Sequence, residues 1–368
     1  MISLKIRYFD LRRICNSGQI FRMYEREDGI FDVYSGSRHL RLCQQGEQVD
    51  FYCDRAEFDS YWKRYFDLDR DYEAIVLAAT GKDEFVEQAC QFGAGIRILH
   101  QDIWEMLISF IISQQKQIPS IRKCTEALCE RFGERKCEKV PKHGHDPESG
   151  LSGENSSKEA GHAEIGTEEH IWYTFPTPEA IAAGGPEGLQ GLSLGYRERY
   201  IYETAVKYLT DGLPYDTVES MGLDAAKAYF TSFCGVGEKV ANCICLFGAG
   251  YVDAFPIDTH IKDILYREYY LKYNDISAAE DHYNKPNDIS ASEGETYHGC
   301  GEISSSKGNK TDKPADKNTK KENKNNRDHG LTMSDYEELV KQHFDRFRGY
   351  RGIVQQWIFA REVATELR

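Results

Sequence analysis

The sequence predicts an α+β protein: a small N-terminal antiparallel β-sheet domain packed on a larger, mainly α-helical domain with two disordered loop insertions. Three observations lead there. Apolar and polar residues alternate from about Phe21 to Cys53, helical spacing takes over from about Glu57, and two long polar stretches interrupt that spacing.

The alternating stretch reads IFDVYSGS, HLRLCQQGEQ and VDFYCD, with Gly and Ser punctuating it, which predicts a small sheet with one buried face. After it, EFDSYWKRYF, EAIVLAA, DIWEMLISFIISQQ, IRKCTEALCERF, RERYIYETAVKYL, DAAKAYFTSF, EKVANCICLFGA, THIKDILYREYY, MSDYEELVKQHF and GIVQQWIFAREVATEL all carry apolar residues at helical intervals. Residues 1–88 are assigned to the sheet domain and 89–368 to the helical one. The stretches at about 135–171 and 274–332 are rich in Ser, Asn, Lys and Gly and nearly free of large apolar side chains. They cannot bury enough surface to offset chain entropy, so both are expected to be disordered. One helix start is well signed: Asp102 followed by Glu105 resembles a capping box, and Ile103, Leu107, Phe110 and Ile111 form an inward stripe. That helix reads as core, with functional interest beginning at its SQQKQ end.

With 368 residues the chain is long enough for two or three domains. A net charge of −14 and a pI near 5.3 argue against a broadly basic nucleic-acid binder, although a local basic groove is compatible with an acidic exterior. Eleven cysteines without a CxxC pair read as reduced thiols. The charged start MISLKIRYFDLRR lacks a signal-peptide core, and no run of about 18 apolar residues occurs, so an intracellular protein without a membrane partner is expected.

The stretch FCGVGEKVANCICLFGAG joins two helices through Gly235 and Gly237, a helix-hairpin-helix candidate whose backbone N–H groups can hold a phosphate oxygen. Gly-x-Gly alone is equally a tight interhelical turn, and the nucleotide-binding pattern GxxxxGK[ST] is absent. Lys239 is the unusual residue, because a first helical turn favours acids. An unperturbed lysine has a pKa of about 10.4, and the positive end of a helix together with partial burial favours the free amine, a nucleophile. On its own it reads as a surface lysine in a frayed turn. Asp258, in DAFPIDTHIKDIL, stands where an N-cap belongs and needs no other role, yet a carboxylate held ionised there suits positive charge developing on a sugar.

GVGEKVANC followed by FPIDTH resembles the helix-hairpin-helix, Gly/Pro-rich loop, aspartate (HhH-GPD) superfamily of DNA glycosylases, and within it the 8-oxoguanine glycosylase/lyase type. NSGQIFRM, GIRILHQDIWEMLISFIISQQ, LGYRERY and GIVQQWIF fall in the family's order, so the resemblance spans nearly everything outside the insertions. It implies that Lys239 is the Schiff-base lysine and Asp258 the defining aspartate of an enzyme that flips out 8-oxoguanine, removes it and cleaves the strand by β-elimination. His260 aligns with a phosphate-contacting histidine. Cys243 and Phe359 would sandwich the base while Gln355 bonds its edge, and Gly18 would offer its carbonyl to the N7 hydrogen of 8-oxoguanine.

Departures accompany the match. Cys234 replaces a usual proline, and the family's asparagine and arginine that contact the orphaned cytosine fall on Gln115 and Ser120. Losing a guanidinium that can bond a base edge removes discrimination, so the preference for cytosine opposite the lesion is in doubt, although Arg197 is retained and Tyr196 is a candidate wedge. The resemblance implies double-stranded DNA containing oxidised guanine as partner, a monomer, no metal, no nucleotide and no organic cofactor, and work in the nucleoid of a bacterium or the nucleus of a eukaryote. Another glycosylase of the superfamily and a non-catalytic hairpin module are the competing readings. A four-cysteine iron–sulfur spacing is absent, and the pair Lys239 and Asp258 favours an enzyme.

Overall fold

The computed structural model of this chain describes residues 1–27, 29–141, 167–272 and 329–366. Near the N-terminus β1 (Ile2–Lys5) and the short helix α1 (Leu11–Asn16) precede β2 (Met23–Glu27), β3 (Ile30–Ser35), β4 (Arg38–Gln45) and β5 (Gln48–Phe51). They form an antiparallel sheet in the order β1-β5-β4-β3-β2. Gly36 (φ +57°) and Gly46 (φ +60°) supply the left-handed backbone that turns β3 into β4 and β4 into β5. Ile2, Phe31, Val33, Leu40, Leu42, Val49 and Phe51 bury one face against α1 and the helical run at 55–65, which contributes Phe58 and Trp62, with Phe66 just after it.

The opposite face differs from expectation, because every residue of β3 is buried. The cover comes from the segment expected to be a disordered insertion at 135–171, whose ends are strands. β6 (Arg135–Pro141) pairs with β7 (Thr167–Tyr173) from Arg135 opposite Tyr173 to Pro141 opposite Thr167. Its charged side chains find buried partners on the sheet: Glu138 bonds His39 at 2.7 Å, Glu168 bonds Arg41 at 2.9 Å, and His170 meets the Tyr34 hydroxyl at 2.7 Å. All converge on Asp32, which is fully buried and accepts from Arg26, His39 and Arg41. Burial alone would raise its pKa, but the bonds from His39 and Arg41 outweigh that and hold it well below the usual carboxylate range. Residues 142–166 of the first expected insertion and 274–328 of the second lie outside the described residues. The last residues of the second, at 329–332, are ordered as a helix entry, with Thr332 and Asp335 forming a reciprocal capping box.

The helical array that follows the sheet comprises α2 (Tyr72–Ala79), α3 (Glu84–Gly93), α4 (Ile103–Ser113), α5 (Ile118–Phe132), α6 (Pro178–Gly188), α7 (Arg197–Asp211), α8 (Tyr215–Ser220), α9 (Leu223–Thr231), α10 (Glu238–Phe247), α11 (Thr259–Ile264), α12 (Met333–Phe344) and α13 (Arg351–Glu366). Around it runs one continuous apolar core in which α4 is central, since every residue of that helix except Ser113 is buried. A helix buried all round exceeds the single stripe its periodicity suggested. No helix among the described residues is long and apolar enough to cross a membrane.

Only half of the expected capping box at Asp102 forms. The Asp102 carboxylate accepts from Glu105 N at 2.8 Å, but Glu105 reaches across to accept from the Gly36 N–H at 2.8 Å, joining the helix to the β3–β4 turn. Burial outweighs the nearby Arg22 charge and raises the Glu105 pKa from an ordinary 4.5 to about 7. Between those values the folded chain holds a proton that the unfolded chain has lost, so this group makes stability fall as pH rises through the window. Glu105→Gln is expected to flatten that part of the profile. The difference in unfolding free energy between pH 5 and pH 7.5, from denaturant titrations, should shrink by about 1–2 kcal/mol relative to the parent chain.

Candidate active site

The hairpin is α9, a turn, and α10. At the turn Gly235 has φ +78°, and a Cβ there would stand 2.4 Å from the Tyr200 ring, so both conformation and space require glycine. Gly237 precedes α10 in extended conformation, no side chain caps that helix, and nothing lies within 4 Å of where its Cβ would be. The first N–H groups of α10 therefore lie at an open surface suited to an anion.

Lys239, in the first turn, is half-buried, and its Nζ lies 5.4 Å from the centre of the Phe110 ring. Its charge acts on the thiol of Cys243, one turn on and 3% exposed. Burial pushes the Cys243 pKa up, Lys239 opposes that, and Asp258 adds to it, so lysine, thiol and carboxylate share one electrostatic environment. The acid that suits a helix start is supplied next door by Glu238, paired with Lys227 of α9 at 2.7 Å.

Asp258 caps α11, its Oδ1 accepting from Ile261 N at 2.9 Å, with Phe255, Pro256 and Ile257 buried just before it. Gln355 of α13 is 3% exposed and donates to the Pro256 carbonyl at 3.3 Å, while its Oε1 finds no partner among the described residues. One turn on, Phe359 meets the His260 ring edge-on at 5.9 Å and faces Gly18. Gly18 has φ +80°, and a Cβ there would stand 3.0 Å from Phe359 Cε1. The two ends of the chain thus meet at one wall, which Gln356 fastens by donating to Ser17 O at 2.6 Å. Lys239, Cys243, Asp258, His260, Gln355, Phe359 and Gly18 form a connected set.

A second group lies along the hairpin turn. Gln114 donates to Gly235 O at 2.7 Å, and Arg197 donates to the carbonyls of Gln114 and of Leu194. Arg197 is only 6% exposed, its guanidinium 4.4 Å from the centre of the Tyr196 ring, while Tyr196 itself is 48% exposed as a wedge requires. Gln115 is exposed with φ +51°, and Ser120 is exposed. Sequence reasoning pointed to the SQQKQ end that holds Gln114, read Phe110 as core only and missed Asn242, whose signal was its place four residues after Glu238 on one helical face.

Elsewhere, Asp32, His39 and His170 bring ligand-type atoms within 4.8 Å of one another. Arg26 and Arg41 already bond both oxygens of Asp32, so an added cation would meet two guanidinium groups, and the cluster is an ion-pair network holding the β6–β7 hairpin.

Residues 1–107 match the family model described as the N-terminal domain of 8-oxoguanine DNA glycosylase, and residues 108–323 match that of HhH-GPD superfamily base excision DNA repair proteins. The chain belongs to the HhH-GPD superfamily. Among curated HhH-GPD relatives, the N-glycosylase/DNA lyase of Saccharomyces cerevisiae is 33% identical over 192 residues, covering 49% of this chain and 43% of that protein. A probable N-glycosylase/DNA lyase of Methanothermobacter thermautotrophicus is 32% identical over 113 residues, 26% of this chain and 36% of that protein. This HhH-GPD chain thus spans less than half the length of either relative. The Clostridium acetobutylicum 8-oxoguanine glycosylase/lyase, solved with double-stranded DNA containing cytosine opposite 8-oxoguanine, superposes with a TM-score of 0.68 at 23% identity, over 98% of this chain and 93% of that one. At that identity the similarity speaks for the HhH-GPD fold.

Proposed function

We propose that this chain is a bifunctional DNA glycosylase and lyase that excises 8-oxoguanine from duplex DNA. The observation that carries the reading is the Lys239 amine, turned in over Phe110, with its charge and that of Asp258 both acting on the buried Cys243 thiol. Once a nucleotide is flipped into the cleft, Nζ forms a bond to C1′ as the bond from C1′ to the base breaks. The departing base keeps the electron pair and takes up a proton, and Asp258 stabilises the positive charge that builds on the sugar. Opening of the ring leaves an imine. Loss of a C2′ proton then expels the 3′ phosphate with the electrons of the C3′–O bond.

The base-reading groups support an oxidised purine. The Oε1 of Gln355, without a partner among the described residues, is an acceptor that a base edge would satisfy, and leaving it unpaired costs about 1–3 kcal/mol. Gly18, its backbone against Phe359, suits a carbonyl that tests for a hydrogen at N7.

The test is single-turnover incubation with a duplex bearing one 8-oxoguanine, run beside a guanine duplex, with borohydride added to trap the imine. Release of 8-oxoguanine together with a covalent protein–DNA adduct is expected, and absence of both would overturn the proposal. The same assay with each base opposite the lesion should show a spread of rates within about tenfold. Each good bidentate base contact is worth about 1–3 kcal/mol, and the Arg197 guanidinium is engaged with backbone carbonyls.

A further inference from the structure

The chemistry above requires the lysine and the aspartate to reach one sugar, yet they ride on different elements, α10 and the loop at 252–258. Most ties of that loop lead elsewhere. Val252 O accepts from Gly352 N, Asp253 O from Arg351, and Pro256 O from Gln355, all at α13, while Ala254 N bonds locally to Tyr251 O. Just before the loop Tyr251 N donates to Cys245 O of the lysine's helix at 2.9 Å, and among the described residues the bond from within the loop to that helix comes from Asn242, whose Oδ1 accepts from Phe255 N at 3.2 Å.

Asn242 is 8% exposed, and its orientation is fixed from the other side. Its Nδ2 donates to Glu238 O at 3.0 Å and to Glu238 Oε1 at 3.2 Å, which leaves the oxygen facing the loop. Glu238 in turn is held by Lys227 at 2.7 Å. A chain from Lys227 through Glu238 and Asn242 to Phe255 therefore links both arms of the hairpin to the loop that ends in Asp258. Phe255 itself is wedged, with its ring 5.0 Å from that of Phe344 in α12.

We propose that Asn242 is a positioning residue for imine formation, setting the reach of Lys239 relative to Asp258. This rests on the glycosylase/lyase reading. A misplacement of about 1 Å between reacting groups can cost about 100-fold, whereas duplex grip depends on the open turn at Gly235 and Gly237, which Asn242 does not touch. Loss of the tie should therefore appear in the covalent step and not in affinity.

The experiment measures borohydride-trapped adduct formation in single turnover on an abasic duplex, and affinity for a duplex with a reduced, unreactive abasic site. If the parent chain forms no adduct, the functional reading fails before Asn242 is judged. With the parent active, Asn242→Leu should slow trapping by about 30–100-fold with affinity within about twofold. Asn242→Asp keeps the acceptor for Phe255 but faces the Glu238 carboxylate, so it too should be slow. Adding Glu238→Gln, whose amide can donate to the new carboxylate, should bring trapping back to within about fivefold of the parent chain. The Asp pair carries the test alone if the Leu variant does not melt cooperatively. Trapping by Asn242→Leu at the parent rate, an equal loss of rate and affinity, or no recovery on adding Glu238→Gln overturns the proposal.

Discussion

Lys239→Gln is expected to abolish the trapped adduct and strand cleavage, slowing covalent capture by at least about 1,000-fold, while leaving the fold intact. Glutamine is close to lysine in length and fills the same space beside Phe110 and Cys243, but its amide nitrogen has no available lone pair. The stability side separates chemistry from structure. A cation in the first turn of α10 opposes the helix dipole, so removing it should leave stability unchanged or raise it by about 0.3–1 kcal/mol. Duplex binding should persist, because the N–H groups at the turn belong to the backbone. Thermal melts, an affinity measurement and the trapping assay together check this. A covalent adduct surviving in the variant would remove Lys239 from the mechanism.

This trade explains why some of the site could be read before the fold was seen. Lys239 and Asp258 are conspicuous because each occupies a helix start, where local stability makes a definite choice and the lysine goes against it. Gln355 and Phe359 are four residues apart on one helix, so their shared face follows from spacing. Their meeting with Gly18 does not. That contact joins the two ends of the chain, and only the resemblance pointed to it. The β6–β7 hairpin was hidden for a related reason. Glu138, Glu168 and His170 read as solvated when composition is averaged along the segment, yet each points at a partner on the N-terminal sheet. Buried charge is legible only with its counter-charge, and here the counter-charges, His39 and Arg41, are distant in sequence. Glu105 misled in the same way, its spacing from Asp102 fitting a capping box while its carboxylate serves the β3–β4 turn.

Asp258 joins a structural duty to the proposed chemical one, and two substitutions should pull them apart. Its Oδ1 caps α11 by accepting from Ile261 N, and asparagine ranks with aspartate as an N-cap because its side-chain oxygen can accept the same bond. Asp258→Asn should therefore keep stability within about 0.5 kcal/mol, whereas Asp258→Ala should lose about 1 kcal/mol as the N–H of Ile261 goes unpaired. Neither variant has a negative charge to set against the cationic sugar, so both should slow base release by about 100–1,000-fold, and by similar factors. Melting curves beside single-turnover excision rates test the pattern. If Asp258→Asn excises 8-oxoguanine at nearly the parent rate, the carboxylate is only a cap, and the departing base must draw its assistance from another group in the cleft.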